Sequence, residues 1–131
     1  MNRLYKLWRD RSGASALEFA LVAPVFVLLI TGIFQTGMGF YANAGLRSGV
    51  ESAARYAQIY PTPTDSQITT QLSSNTFGLN PALLSTPTLT HGTSNGQNYV
   101  DISATYNFPL KILFMPSTTI ALNYSRRAYQ Y

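Results

Sequence analysis

One carboxylate stands where a membrane span would exclude it. Glu18 lies within RSGASALEFALVAPVFVLLITGIF, Arg11 to Phe34, a few residues into an almost wholly apolar run. An ionised carboxylate near a bilayer centre costs a few kcal/mol, and acidic residues in spans usually have a function and a partner. A second set with chemical potential is His91, which with Asp101 and a serine would make a hydrolase constellation. Against that set, His91 sits in the turn-rich stretch His91-Gly92-Thr93-Ser94-Asn95-Gly96, where a lone histidine reads as surface. The only other carboxylate of the C-terminal part is Asp65, no glycine loop of the phosphate-cradling kind occurs, and no histidine-rich ligand set for a metal is present. The absence of cysteine removes disulfides, thiolate zinc sites and cysteine nucleophiles. The expectation is a non-enzyme with no catalytic residues, no metal and no cofactor, so the chemistry to be explained is that of Glu18.

The elements that hold Glu18 are a basic leader and a long apolar helix. Arg3, Lys6, Arg9 and Arg11, offset by Asp10, precede the apolar run and carry most of the formal net charge of +4. This is a cytoplasmic flank by the positive-inside rule, which predicts a cytoplasmic N terminus and an extracytoplasmic C-terminal part. It also argues against nucleic acid as a partner, since the cations are not spread over a folded face. No charge occurs between Glu18 and Arg47, and the densest apolar part of that stretch, Phe19 to Phe34 with Phe40 and Tyr41 beyond, spans a bilayer as a helix, the open-ended structure that satisfies its own backbone in lipid. A secretory signal peptide has the same order of parts, but its apolar stretch is shorter and no small-x-small site follows this one cleanly.

Cleavage ahead of the apolar run fits better. Cutting the bond after Gly13 makes Ala14 the new amino terminus and Glu18 the fifth residue of the mature chain. A short basic leader ending in glycine, followed by a helix with glutamate at the fifth position, resembles the prepilin-peptidase site of type IV pilins. The stretch Gly13-Ala14-Ser15-Ala16-Leu17-Glu18-Phe19-Ala20-Leu21-Val22-Ala23-Pro24, with the later Glu51-Ser52-Ala53-Ala54-Arg55-Tyr56-Ala57, is similar to TadE-like minor pilins and pseudopilins of the tight-adherence (Tad, Flp) pilus. The likeness covers about the first sixty residues, with Ala14 standing where many type IV pilins have an N-methylated phenylalanine.

The resemblance implies a role for Glu18: its carboxylate neutralises the Ala14 amine of a neighbouring subunit as both enter a helical stack, which lowers the desolvation cost of each charge. The alternative from the residues alone is a headgroup-level glutamate that merely tolerates its place. Pro24 withholds a backbone donor from the carbonyl of Ala20 and is expected to kink or loosen the helix. Further on, Gly45, Gly49, Ala53 and Ala57 recur every four residues and form a close-packing stripe, to be filled by another subunit or by the chain's own C-terminal sheet. Arg47, Glu51 and Arg55 form a solvated stripe with a well-oriented Glu51 to Arg55 pair. Gly32, Gly37, Gly39 and Gly45 weaken helicity and invite local unwinding.

The pattern predicts three parts: a cleaved basic leader over 1–13, a long helix over 14–60 that is transmembrane in its first half, and a small α+β head over 61–131. Tyr60-Pro61-Thr62-Pro63 ends the helix. Thr64 or Asp65 caps a short helix from Ser66 to about Phe77, and a first strand runs around Pro87 to His91. The Asn95-Gly96 turn leads into the clearest strand, where Val100, Ile102, Ala104, Tyr106 and Phe108 alternate with polar residues. A third strand runs from Thr118 to about Ala128. Leu110 to Met115 is an apolar connection, read as a buried crossing in preference to a docking patch, and Arg126, Arg127, Tyr129 and Tyr131 make a basic aromatic tail.

The fold expected is therefore α+β and pilin-like, a long N-terminal transmembrane and amphipathic helix packed on a small antiparallel sheet. What the resemblance implies is a minor pilin or pseudopilin that acts in pilus assembly and surface adhesion. Its partners would be other Tad pilins, the prepilin peptidase, the inner-membrane assembly platform and, before assembly, the lipid bilayer. Its location would be the bacterial inner membrane, then the pilus. The competing reading is a permanently anchored single-pass protein whose outer domain binds a partner.

Overall fold

The computed structural model of the chain describes residues 12–130. The leader cations and Tyr131 lie outside the described residues. The first element, α1 (Ser12–Tyr56), is one helix of 45 residues with Pro24 inside it. It is continuous through Gly32, Gly37, Gly39 and Gly45, so the local unwinding expected from glycine does not occur. Each interior peptide group of a long helix pairs within the helix itself, and the non-glycine residues around these glycines, good helix formers such as Met38 and Leu46 among them, hold the pairing through them. Thr31 and Thr36 hide their hydroxyls in the same way, donating to the carbonyls of Val27 (2.9 Å) and Gly32 (2.9 Å) of the preceding turn.

The helix stops at Tyr56, four residues short of the expected end. Its last turn tightens, with Gln58 N–H donating to Arg55 O and Ile59 N–H to Tyr56 O, three residues back instead of four. Pro61 has no N–H to donate, and its ring disfavours helical backbone at the residue before it. Helix α2 (Asp65–Ser74) then begins in a capping box. The Thr64 hydroxyl accepts from Gln67 N–H, and the Gln67 side chain accepts from Thr64 N–H at 2.9 Å. Ile68 and Leu72 are its buried side.

A single 3₁₀ turn, Pro81–Leu83, leads to a three-stranded antiparallel sheet in the order β1 (Thr88–Ser94), β2 (Gln97–Leu110), β3 (Thr118–Gln130). The two-residue turn between β1 and β2 has both Asn95 (φ 50°) and Gly96 (φ 78°) in the left-handed region, the conformation that suits the twist of a hairpin and for which Asn-Gly is selected. Alternation on β2 is strict: Val100, Ile102, Ala104, Tyr106 and Phe108 are buried. Pro109 is tolerated in this central strand for a specific reason. The Thr105 carbonyl accepts from Ser85 N–H on the β1 side, alternation turns residue 109 to that same side, and β1 has already ended at the register pair Thr88 with Ser103.

The core lies where this sheet and α2 meet the outer part of α1. Ala42, Leu46, Val50, Ala53 and Ala54 come from α1, Ala57 from the turn just past its end, Ile68 and Leu72 from α2, the five alternating residues from β2, and Ala128 from β3, with no polar residue buried among them. Nothing on α1 before Ala42 belongs to this core. The helix is therefore divided into a naked apolar half and a half that serves as the floor of a small α+β domain.

Gly45 and Gly49 set how closely α2 and the segment after it approach α1. A Cβ at Gly45 would run into the carbonyl oxygen of Phe77, and one at Gly49 would lie 2.9 Å from the Leu72 carbonyl oxygen. Both obstacles are backbone and cannot rotate away. Gly45→Leu should therefore destabilise the head by about 1–3 kcal/mol despite the better helix propensity of leucine. The check is the urea midpoint followed by near-UV circular dichroism on the full chain in detergent micelles, and an unchanged midpoint would contradict the packing described.

Candidate processing and assembly site

Small residues open α1. Gly13, Ala14, Ser15 and Ala16 are all exposed, and nothing outside the helix lies within 4 Å of a Cβ placed on Gly13. The Gly13–Ala14 bond is thus unobstructed by the described residues. Glu18 follows Ala14 by one helical turn, about 6 Å along the axis, on the same face. It is exposed and has no salt bridge among the described residues. Its surroundings are apolar on every side: Leu17, Phe19, Leu21 and Val22 are each more than 60 % exposed. A helix apolar all round and covered by no part of its own chain calls for lipid or for other helices. One helix, Gly13–Tyr56, is long and apolar enough to cross a membrane, and none of its most apolar stretch is buried. Such a helix is suited to anchoring the chain.

Pro24 lies six residues past Glu18 with the helix running through it. Its ring withholds the donor that the Ala20 carbonyl would accept, a local weakness in an otherwise uninterrupted ladder.

The small stripe has a different fate from the N-terminal residues. Gly45, Gly49, Ala53 and Ala57 are all buried, Gly45 under Phe77 and Gly49 under Leu72 and Thr76. At Gly45 and Gly49 the neighbour is thus α2 and the segment leading out of it, and Ala53 and Ala57 lie in the core of the same chain.

The polar face of the outer helix is also recruited inward. Glu51 accepts a 2.6 Å hydrogen bond from the Tyr124 hydroxyl and lies 3.7 Å from Arg126 Nε, while the Arg47 guanidinium sits 5.0 Å over the Tyr124 ring. The expected pair with Arg55 does not form; Glu51 faces the sheet, where a phenol and a guanidinium on β3 outcompete a solvated neighbour one turn away. Arg126 occupies the core-facing side of this edge strand, opposite Ile102. A charge turned inward on an edge discourages pairing with a further strand.

The basic aromatic tail is likewise engaged within the head. Arg127 makes a two-pronged contact with Asp101, its register partner, at 2.7 Å for both bonds, and stacks 3.8 Å from the Tyr99 ring centre. These hydrogen bonds, with the guanidinium charge and against a smaller opposing effect of burial, hold the Asp101 carboxyl below its ordinary value, and they raise the Arg127 value in turn. His91 pairs instead with Asp65 at 2.9 Å, so the His91 and Asp101 combination considered for hydrolysis is not assembled. No sequence signal links residues as distant as Glu51 and Tyr124 or Asp65 and His91, because each pair is made by the docking of the sheet on the helices.

The connection from Lys111 to Ser117 differs from expectation as well. It is not a buried crossing: Leu113 is 46 %, Phe114 77 % and Met115 61 % exposed. The two strands are register neighbours already joined by this hairpin, so the connection never passes under the sheet.

The pairing of Asp101 with Arg127 has a defined pH signature. Because the carboxyl is depressed in the folded state, its contribution is present above the ordinary carboxylate range and is lost as pH falls through the depressed value. Asp101→Asn should flatten the acid limb of the head's stability curve and leave neutral pH the region of largest loss, as read from urea midpoints at a series of pH values. Parallel curves for the two proteins would exclude the pairing.

Comparison with known families bears on the helix. The model of the TadE-like protein family matches residues 13–55, which is α1 almost end to end. Over that segment the chain is TadE-like, and the family is a Tad pilus-associated one and not a family of enzymes. No curated protein and no solved structure matches the chain.

Proposed function

We propose, for a chain whose long helix is that of a TadE-like protein, the work of a minor pilin or pseudopilin of a Tad pilus. The precursor is held in the inner membrane by the apolar half of α1, with its N terminus cytoplasmic and its head outside. Prepilin peptidase cuts after Gly13, and the mature subunit joins other Tad pilins through the assembly platform, in the service of pilus assembly and surface adhesion. The observation that carries this reading is the contrast between the two halves of α1. One face of the outer half is used by the chain's own core, whereas the inner half as far as Phe34 offers exposed apolar surface, an accessible Gly13–Ala14 bond and one carboxylate.

The role of Glu18 follows from charge. Cleavage would leave a cationic amine on Ala14 at the start of a helix, where the helix dipole already disfavours positive charge. Glu18 supplies the counter-charge, and in a stack of helices the amine and carboxylate of neighbouring subunits enter an apolar environment as a pair, which costs far less than burying either alone. Pro24, a little farther along, gives the inner half a point at which it can bend as it leaves the bilayer.

The alternative is a permanent anchor with an uncleaved leader, and the N terminus of the protein from cells with an active peptidase separates the two. A chain beginning at Ala14, by intact mass or N-terminal sequencing, is expected; an intact Met1 would favour the anchor. Gly13→Leu should abolish that processing, because the small residue before the bond is replaced by one that a narrow peptidase subsite excludes. Glu18→Ala should be processed normally and yet fall at least tenfold in the pilus fraction relative to the membrane fraction by quantitative immunoblot. Undiminished incorporation would remove the assembly role from Glu18.

A further inference from the structure

The apolar tip of the β2–β3 connection sits at a particular height along α1. Phe108 on β2 packs against Gly39, Tyr124 on β3 reaches Glu51, and the strands between them run along the helix, so the connection points back toward the apolar half. Its position is pinned by one hydrogen bond: Gln35 Nε2 donates to the Lys111 carbonyl at 2.8 Å. A span of about 20 helical residues crosses the hydrocarbon. Counted from Ala16, that places Gln35 at the outer boundary. Thr31 and Thr36 satisfy their hydroxyls on their own backbone, whereas the Gln35 amide is satisfied from the head.

At this height the connection presents Leu113, Phe114 and Met115 to the outside. Met115 N–H donates to Ile112 O and closes the turn, and Phe114 takes φ +64°, a left-handed conformation uncommon for a bulky residue, which leaves its ring 77 % exposed. Lys111, exposed at the base of the turn, is the one cation between Arg55 and Arg126. Beside the turn an open apolar groove of about 470 Å³ runs between Gly32, Gly39 and Phe40 of α1 and Leu110, Ile112 and Ile120 of the hairpin. An apolar tip with a cation at its root, level with the end of a membrane span, matches the layering of an interface, with acyl chains below and anionic headgroups above.

We infer that the β2–β3 connection is a second membrane contact, with Phe114 and Met115 seated at the acyl boundary of the outer leaflet and Lys111 at its headgroups. The occupant of the groove is then lipid. This rests on the reading of α1 as a membrane span. Held at two points, the head cannot swing freely about the helix axis before assembly, and withdrawal of α1 from the bilayer must also withdraw the tip.

Because the chain has no cysteine, single cysteines report position directly. The full chain is reconstituted in phosphatidylcholine–phosphatidylglycerol vesicles with an environment-sensitive fluorophore on Leu29→Cys in the span, Met115→Cys in the tip, or Ser94→Cys at the far hairpin. Nitroxide-bearing lipids are then added as quenchers. The expected result is quenching at 29 and at 115, with shallow nitroxides more effective than deep ones at 115, and none at 94. Adding Phe114→Asp should reduce quenching at 115 at least twofold without changing it at 29. Quenching at 29 with 115 behaving like 94 overturns the tip contact and leaves the span intact. A blue-shifted but unquenched label at 115 that responds to the protein-to-lipid ratio overturns it in favour of a second copy of the chain. Absence of quenching at both 29 and 115 overturns the span and the tip contact together.

Discussion

The peptide groups of the first thirty residues of α1 have no partner outside the helix itself. Everything else in the molecule is arranged around that constraint. An apolar run that nothing in the chain covers must keep its ladder of hydrogen bonds closed, so it tolerates four glycines without unwinding and turns its threonine hydroxyls back onto its own carbonyls. Past Pro24 the ladder is unbroken, and the helix continues beyond the apolar run to supply a floor for the head. The domain that forms there is small, and the helix contributes five of its fourteen buried hydrophobic residues, with a sixth, Ala57, just past its end, so the head has little core without it.

The outer half of the helix shows how small residues and charged residues divide the work of docking. Gly45 and Gly49 let backbone approach backbone, which brings α2 close enough for Ile68 and Leu72 to be fully buried. Around the helix from that seam, Glu51 and Arg47 meet Tyr124 and Arg126 of β3 and close the opposite edge of the contact. The wet face of the sheet is held by cross-strand pairs, Asp101 with Arg127 and Thr105 with Asn123, each joining register neighbours. The cations that make the tail look like a ligand-binding surface are spent on these contacts.

Much of this was legible in the residues, wherever a local signal and a burial pattern agreed. Alternation from Val100 to Phe108, the Asn95-Gly96 turn and the Thr64 cap each act over a few residues, and the structure places β2, the hairpin and α2 accordingly. The span and its TadE-like character were legible because composition and spacing over residues 13–55 are enough to define them. What was not legible depends on docking. Glu51 has a helical neighbour at ideal spacing and still pairs across the fold, since only the folded sheet brings Tyr124 within reach. Leu110 to Met115 is as apolar as a buried segment, and composition alone cannot distinguish a crossing under a sheet from the exposed tip of a hairpin. The helix end was placed late because the prolines at 61 and 63 act on the residues before them.

One feature of the long helix has a geometric consequence. Beyond Pro24 the apolar part of the helix and the head share one continuous axis, with the core fastened to it from Ala42 onward. Each residue between them therefore sets both a height and an angle, about 1.5 Å and 100°. Removing one residue from the short stretch between Gln35 and Ala42 would scarcely change how far the head stands from the apolar half of the helix, but it would rotate the head by more than a quarter turn about the axis. The stretch works as a phase coupling between the two halves of the helix, fixing which face of the apolar half lies on the same side as the sheet.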